Sequence, residues 1–578
     1  MGKKTRKIKD DVSLVICGSA GQGIQTVETI LTQLLKRAGF HVFGTKEYMS
    51  RVRGGSNSTG IRVSSTSRPS LLDRIDILVP LDGKALKHVQ TRISDDTLIL
   101  ADKEHLGLAD EKGLPGLIDI PFSQLASDMG GAIYANSIAA GLVAQLFGVD
   151  REEVFLFLDQ LFSKKKPEII ENNRKAAAKG CEIAQGLVDS GEIFIDIQRQ
   201  PHIAEDILIN GAEAVGIGAV AAGCNFVSSY PMSPSTGVLV FLSGQAEKFG
   251  IISEQAEDEI SAVNMMLGAW YAGARAMVTT SGGGFALMEE GVSLAGVMES
   301  PAVIHLAQRP GPGTGLPTRT AQGDLELALY SGHGDFPRII LAPGRIEDAA
   351  ILTRDAFTLA DKFQVPVFIL TDQYFIDSYY NIPSLDLQDK KAESAIVETD
   401  GDYRRYRITE NGISPRGVPG YGNGLVVTDS DEHDEDGHIT EDLHVRVAMV
   451  DKRKRKLDDM EKEAFPPELI GKDDYETLLI GWGSTYPIIR EAWSILDRDD
   501  VAFLHFRQVY PLHPDTSAYL KKAKKRIVIE GNSDAQFATL LRLQTDHEIH
   551  ETILKYNGAQ FSVEELAGRL ETTIGKKE

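Results

Sequence analysis

Three short segments near the middle of the chain hold residue types and spacings that can do chemistry. Tyr230-Pro231-Met232-Ser233-Pro234-Ser235-Thr236 sets two prolines around a hydroxyl residue. Each ring fixes its own φ, so the backbone is stiff and the Ser233 hydroxyl is held where it can meet a ligand. Glu254-Gln255-Ala256-Glu257-Asp258-Glu259 precedes an apolar helical stretch from Ile260 to Tyr271. Carboxylates at a helix start commonly serve the helix dipole. Glu259 differs in standing where the acidic cap gives way to the buried face, so its side chain can enter an apolar pocket, where burial raises a carboxyl pKa. Gln308-Arg309-Pro310-Gly311-Pro312-Gly313-Thr314 follows the apolar strand Ala302 to Ala307. An Arg at the end of a parallel strand, opening a Gly/Pro loop, can hold a carboxylate by two parallel hydrogen bonds. Each segment also has a plainer reading, as a turn, a dipole partner or a pinned loop.

Such groups need strand ends and helix starts to position them. Val12 to Cys17 reads as a buried strand, Gly18 to Gly23 as a glycine loop, and Ile24 to Ala38 as an amphipathic helix. Strands at His41 to Phe43, Ile75 to Leu81 and Thr97 to Ala101 continue an alternation that predicts a mainly parallel sheet. Helices at Ala135 to Gly148 and Glu171 to Ser190 close this unit, giving a first domain over 1–199. The strand and helix alternation restarts with the Gly/Ala-rich helix Gly211 to Gly223 and fills 200–394. Residues 395–466, rich in Gly, Pro and charge, read as an irregular connecting segment. It holds an acidic run, Asp429 to Asp442, and a basic run, Lys452 to Lys456, which predict a solvated face or internal pairing. A last α/β unit over 467–578 opens with Glu476 to Gly481. The fold class is α/β, in three units.

Composition limits what this assembly can be. The chain has 578 residues, with 61 Lys plus Arg against 83 Asp plus Glu and a net charge of −22. That excess of acid excludes a general nucleic-acid binder and disfavours anionic membranes. No apolar run approaches the roughly 18 residues of a membrane helix, and no export signal is evident, so a cytoplasmic location is expected. Cys17, Cys181 and Cys224 lie far apart without a C-x-x-C pair. A self-contained zinc or iron–sulfur site is therefore excluded, and any cluster must belong to another chain. Glu432-His433-Asp434-Glu435-Asp436-Gly437-His438 invites a metal reading but fails as an EF-hand, because Leu443 stands where the closing Glu belongs.

Taken in order and spacing, the three segments resemble the alpha subunit of the 2-oxoacid:ferredoxin oxidoreductases. Thr280-Ser281-Gly282-Gly283-Gly284-Phe285 and Gln322-Gly323-Asp324-Leu325 add to the match. The family's loop is Tyr-Pro-Ile-Thr-Pro-Ser-Thr, from which Met232 and Ser233 depart. Ile529-Glu530-Gly531-Asn532-Ser533 is similar to the family's transketolase-like C-terminal domain. Gly18-x-x-Gly21-Gln22-Gly23, Tyr48 and Arg53-Gly54-Gly55 resemble its small gamma subunit, here fused in front and associated with coenzyme A. A Gly loop feeding a helix start is in kind an anion site, to which Arg51 and Arg53 would add charge.

The resemblance implies thiamine diphosphate shared with a beta subunit that holds Mg2+ and a [4Fe–4S] cluster, in an (alpha-beta)2 heterotetramer that reduces ferredoxin. Glu259 would meet the cofactor's aminopyrimidine, Arg309 the substrate's 1-carboxylate, and Ser233 would lie beside that carboxylate. Tyr230, Pro231 and the Ser281-Gly282 turn would line the cofactor. The fused architecture points to 2-oxoglutarate, with pyruvate, branched-chain and arylpyruvate substrates as alternatives. A different reading makes the chain a flavin- or nucleotide-binding electron-transfer subunit, with Glu47 near a ribose.

Overall fold

The computed structural model describes residues 6–19, 23–49, 55–107, 114, 116–387 and 394–575. The chain gathers into two compact units. The first comprises Met1–Ile209, Ser378–Ser384 and Ser562–Glu565, and the second Asn210–Asp377, Leu385–Phe561 and Leu566–Glu578.

In the first unit, strand Asp11–Ser19 is buried from Asp11 to Gly18, as a continuous apolar run in a covered sheet should be. Gly18 belongs to this strand. Gly23, at φ 78°, caps helix Ile24–Arg37, which buries Val27, Ile30, Leu31, Leu34 and Leu35 at helical spacing. The sheet runs in the order Leu117–Asp119, Leu98–Ala101, Ile77–Pro80, Asp11–Ser19, Ser56–Ser64, His41–Glu47, Tyr379–Ile382, Ile207–Asn210. It is mixed, which corrects the expected mainly parallel sheet. Ser56–Ser64 lies antiparallel to both Asp11–Ser19 and His41–Glu47. That strand has no apolar run to announce it. Ile61 and Val63 alternate with Arg62, whose buried guanidinium is paired to Asp11 at 2.5 Å. Far along the chain, Tyr379–Ile382 returns to pair antiparallel with His41–Glu47. Tyr379 stands opposite Gly44, where any Cβ would strike its ring.

The second unit carries two sheets. The seven-stranded sheet runs Ile252–Gln255, Phe226–Ser229, Ala276–Thr280, Ala302–Gln308, Pro366–Asp372, Ile339–Leu341, Gln508–Tyr510. All neighbours are parallel except the last pair, in which a strand from the C-terminal region is antiparallel to Ile339–Leu341. The five-stranded sheet runs Glu468–Ile470, Val501–Phe506, Thr477–Trp482, Lys525–Glu530, Glu551–Leu554. Its central strands are buried on both faces, the signature of parallel strands covered by helices.

The segment expected to be irregular contains a 20-residue helix, Leu443–Lys462. Its buried positions include Lys452, Arg453 and Lys456 as well as Met449 and Met460, so apolar periodicity could not reveal it. The basic run is internally paired. Lys452 Nζ lies 2.5 Å from Glu299 Oε1 and Lys456 Nζ 2.6 Å from Oε2, all three side chains being at most 1% exposed. Arg453 pairs with Glu432 of the acidic run, as does Arg446. Arg405 donates to the carbonyl of Glu299 and to Gln364 Oε1. Burial opposes the Glu299 charge, but Lys456 and Lys452 overcome it and hold its carboxyl well below the usual range. Glu299 also occupies the left-handed region at φ 47°, a conformation a non-glycine residue adopts only when its surroundings enforce it.

Candidate functional site

The candidate residues of the second unit meet at one edge of its seven-stranded sheet, because they follow the carboxyl ends of neighbouring parallel strands. Strand Phe226–Ser229 feeds Tyr230 to Pro234, Ile252–Gln255 feeds Glu259, Ala276–Thr280 feeds Ser281 to Gly284, and Ala302–Gln308 feeds Arg309. Ligands in open α/β sheets bind outside these ends, where loops converge and helix starts point.

Glu259 opens helix Glu259–Tyr271, whose N-cap Asp258 accepts from Ser261 N. The helix buries Glu259, Ala262, Val263, Met266, Leu267 and Trp270. Glu259 thus begins the apolar stripe and is turned inward by helical geometry. Only 3% of it is exposed, whereas Glu254, Gln255 and Glu257 of the same run are exposed. Its Oε1 is buried without a hydrogen-bond partner. A Cβ on Gly284 would collide with that oxygen and with Thr280 Oγ1, so the absence of a side chain at 284 keeps the carboxyl's surroundings open. A buried acceptor left unsatisfied costs about 1–3 kcal/mol, and here it points to a missing donor.

Ser233 and Arg309 are brought together, though through an unexpected atom. The Ser233 carbonyl accepts from Arg309 Nη1 at 2.7 Å and from Ser281 Oγ at 3.0 Å. The Ser233 residue is itself exposed, as is Tyr230 at 40%, and Pro231 is half-buried. One guanidinium N–H therefore fixes the loop, while the others remain for a ligand. Burial pulls the Arg309 pKa down, opposed by Asp324. Gly282 has no room for a side chain, since a Cβ there would sit 2.5 Å and 2.6 Å from the two Asp324 carboxyl oxygens.

Sequence reading gave no role to what holds the loop after Arg309. Gln322 Nε2 donates to the Trp482 carbonyl at 2.9 Å, its Oε1 accepts from Gly531 N at 2.8 Å, and its carbonyl accepts from Asn532 at 3.0 Å. Buried Asp372, at the end of strand Pro366–Asp372, accepts from Thr320 at 3.0 Å and from Ser484. The loop is thus stapled to the C-terminal sheet by groups distant in sequence, which no local pattern announces. His305, buried between Thr279 and Thr371, is pushed by burial to about 3 and stays neutral, a structural histidine.

Gly21, Gln22, Arg51, Arg53 and Gly54, proposed for an anion, lie outside the described residues. Glu47, the residue of the alternative nucleotide reading, lies 3.1 Å from His88. The three cysteines are buried, and burial pushes the Cys17 and Cys224 thiols to about 12 and Cys181 to about 11. Among the described residues no group of three or more His, Cys, Asp or Glu is placed to hold a metal ion. In the acidic run, Glu432 serves Arg446 and Arg453, and Asp434 accepts from Asp436 N and His438 N. Among the described residues, no helix is long and apolar enough to cross a membrane.

Comparison with known proteins adds five findings. The family model "pyruvate flavodoxin/ferredoxin oxidoreductase, thiamine diP-bdg" matches residues 217–452, and "pyruvate ferredoxin/flavodoxin oxidoreductase" matches 13–183. The 2-oxoacid:ferredoxin oxidoreductase subunit alpha of a Sulfolobus species is 31% identical, with 96% of each chain covered. The 2-oxoglutarate synthase subunit KorA of Archaeoglobus fulgidus is 35% identical over 56% of this chain and 88% of its own. A solved structure of 2-oxoglutarate:ferredoxin oxidoreductase from Magnetococcus marinus, with 2-oxoglutarate, coenzyme A and succinyl-CoA bound, superposes with a TM-score of 0.92. It is 30% identical and covers 98% of this chain and 100% of that one.

Proposed function

The chain belongs to the 2-oxoacid:ferredoxin oxidoreductase family, as an alpha subunit fused to a gamma-type domain, and we propose that its substrate is 2-oxoglutarate. In that reaction 2-oxoglutarate, coenzyme A and two oxidised ferredoxins give succinyl-CoA, carbon dioxide, a proton and two reduced ferredoxins. The observation that carries the site is the buried, unpartnered carboxyl oxygen of Glu259 behind the Gly284 opening. An ionised carboxyl there can accept from a protonated aminopyrimidine ring nitrogen, and a protonated one can donate to the neutral ring nitrogen, so the residues fit thiamine diphosphate.

Held there, thiamine diphosphate would supply a nucleophilic carbon and an electron sink for decarboxylation. Glu259 holds a proton on the ring nitrogen opposite it. Arg309 presents its free N–H donors to the substrate's 1-carboxylate, with the exposed Ser233 hydroxyl beside it. Tyr230, Pro231, Ser281 and Gly282 shape the cofactor's surroundings. A beta subunit supplies the diphosphate site, Mg2+ and the [4Fe–4S] cluster that passes electrons to ferredoxin, in a heterotetramer of two alpha and two beta chains. The N-terminal unit serves coenzyme A.

Two results test this reading. The chain alone is expected to be colourless and inactive, and co-expression with its beta subunit to bring a brown colour and coenzyme A-dependent turnover, greatest with 2-oxoglutarate. An iron–sulfur absorbance from the chain alone would sink the subunit arrangement, and faster turnover of pyruvate or a branched-chain acid would move the substrate. Arg309→Lys keeps the charge but replaces a planar fork by a point donor. It is expected to lower kcat/KM roughly ten- to a hundredfold without altering the melting temperature. A large fall in melting temperature with unchanged kinetics would leave Arg309 only a loop pin.

A further inference from the structure

Gln308 ends strand Ala302–Gln308, in which every position is buried. It is 1% exposed, at a place where an apolar residue would serve packing between parallel strands as well. Both ends of its carboxamide are used. Nε2 donates at 3.1 Å to the carbonyl of Thr371 on the neighbouring strand Pro366–Asp372, and Oε1 accepts from Asp324 N at 3.0 Å. Asp324 is where the chain returns from the loop that Arg309 opens, at the start of helix Leu325–Tyr330. The Gln308 side chain therefore joins the two ends of that loop to each other and to the sheet. The loop's tip, residues 311–316, is exposed, so its course is set from its ends. The returning end is also held through Gln322, by Trp482, Gly531 and Asn532, and through the Gly323 carbonyl, which accepts from Gln536 Nε2 at 2.9 Å. At the outgoing end Gln308 directly precedes Arg309, whose guanidinium gives one N–H to the Ser233 carbonyl.

We propose that Gln308 is a positioning residue for Arg309: its carboxamide closes the base of the loop and so fixes the point from which the guanidinium reaches the substrate's 1-carboxylate. This role rests on the clamp assigned to Arg309 above. The geometry needs one donor and one acceptor on a single planar group, and a carboxamide supplies both. Met, of similar length, supplies neither. An ionised Glu accepts from Asp324 N but sets a second negative oxygen against the Thr371 carbonyl. A protonated Glu restores both bonds, its hydroxyl donating to the Thr371 carbonyl and its other oxygen accepting from Asp324 N. With the base open, Arg309 loses the fixed origin that lets two parallel donors meet one carboxylate, and substrate binding suffers before the chemistry does.

The test is Gln308→Met and Gln308→Glu in the enzyme assembled with its beta subunit. Gln308→Met is expected to raise KM for the 2-oxo acid about tenfold with kcat changed less than about threefold, and to leave KM for coenzyme A within about twofold of wild type. In Gln308→Glu the ratio of variant to wild-type KM for the 2-oxo acid is expected to fall towards one as pH is lowered, because burial favours the protonated carboxyl. Asp324 and Asp372 flank Gln308 in both enzymes, so the ratio isolates the introduced group. Wild-type KM for the 2-oxo acid in both variants at every pH would overturn the proposal, and a fall in melting temperature beside it would make Gln308 a structural residue only. So would an equal rise in KM for coenzyme A, which marks a general loosening. If Gln308→Met does not fold, the pH dependence of Gln308→Glu decides by itself. Arg309→Lys separates the layers. If it leaves KM unchanged the clamp itself fails, whereas a raised KM there beside wild-type KM in both Gln308 variants defeats the Gln308 role alone.

Discussion

Glu259→Gln is expected to slow oxoacid turnover by orders of magnitude while leaving the fold intact. The amide keeps the size of the side chain and its place at the head of the buried stripe of helix Glu259–Tyr271, so packing against Ala262 and Val263 survives. What is lost is a group able to share a proton with a ring nitrogen. Positioned proton transfer contributes about 10²–10⁴-fold to rate, and a loss of that order in kcat is expected, with the melting temperature near the wild-type value. Thiamine diphosphate binding to the assembled enzyme, followed by calorimetry, reports whether the variant still admits the cofactor. Turnover close to wild type would remove Glu259 from the site. No neighbouring carboxylate stands ready to replace it, since Glu254 and Glu257 of the same run are exposed.

Glu299→Gln is expected to give the largest loss of stability from a single residue. Its carboxylate is the sole shared counter-charge of Lys452 and Lys456 among the described residues, and all three side chains are at most 1% exposed. An amide leaves two ammonium groups in the interior with nothing opposing their charge. Breaking a buried ion pair by removing one partner costs about 3–5 kcal/mol. The consequence should be local before it is global: helix Leu443–Lys462 is expected to detach first, so limited proteolysis within 394–466 should precede the main thermal transition. Replacing all three residues by Met should recover most of the loss, because apolar groups of similar size often match or exceed a buried ionic cluster. Wild-type protease resistance in Glu299→Gln would show that burial of the helix's Met449 and Met460 holds the segment and that the ions are incidental.

Much about this protein could be read from local pattern. Strand Asp11–Ser19 and helix Ile24–Arg37, or helix Tyr486–Leu496 and strand Val501–Phe506, are announced by apolar periodicity, because each buries a regular face. Glu259 and Arg309 were legible as candidates for a related reason: one begins a buried stripe and the other ends an apolar strand, and in a parallel sheet both positions lead to the same edge. The order of those segments was enough to indicate the family. What stayed hidden depends on partners distant along the chain. Strand Ser56–Ser64 needs Asp11 to neutralise Arg62, and helix Leu443–Lys462 buries lysines that only Glu299 makes tolerable. The polarity of both segments reads as solvent exposure until the counter-charge is in place. Likewise Gln322 and Asp324 look like turn residues, and only the folded chain brings Gly531, Trp482 and Gly282 against them. Sequence alone thus determined where chemistry could occur, since periodicity and strand ends are local properties. Tertiary structure decided which polar groups are buried and what they face, because the free energy of a buried charge depends on partners that chain order does not place beside it.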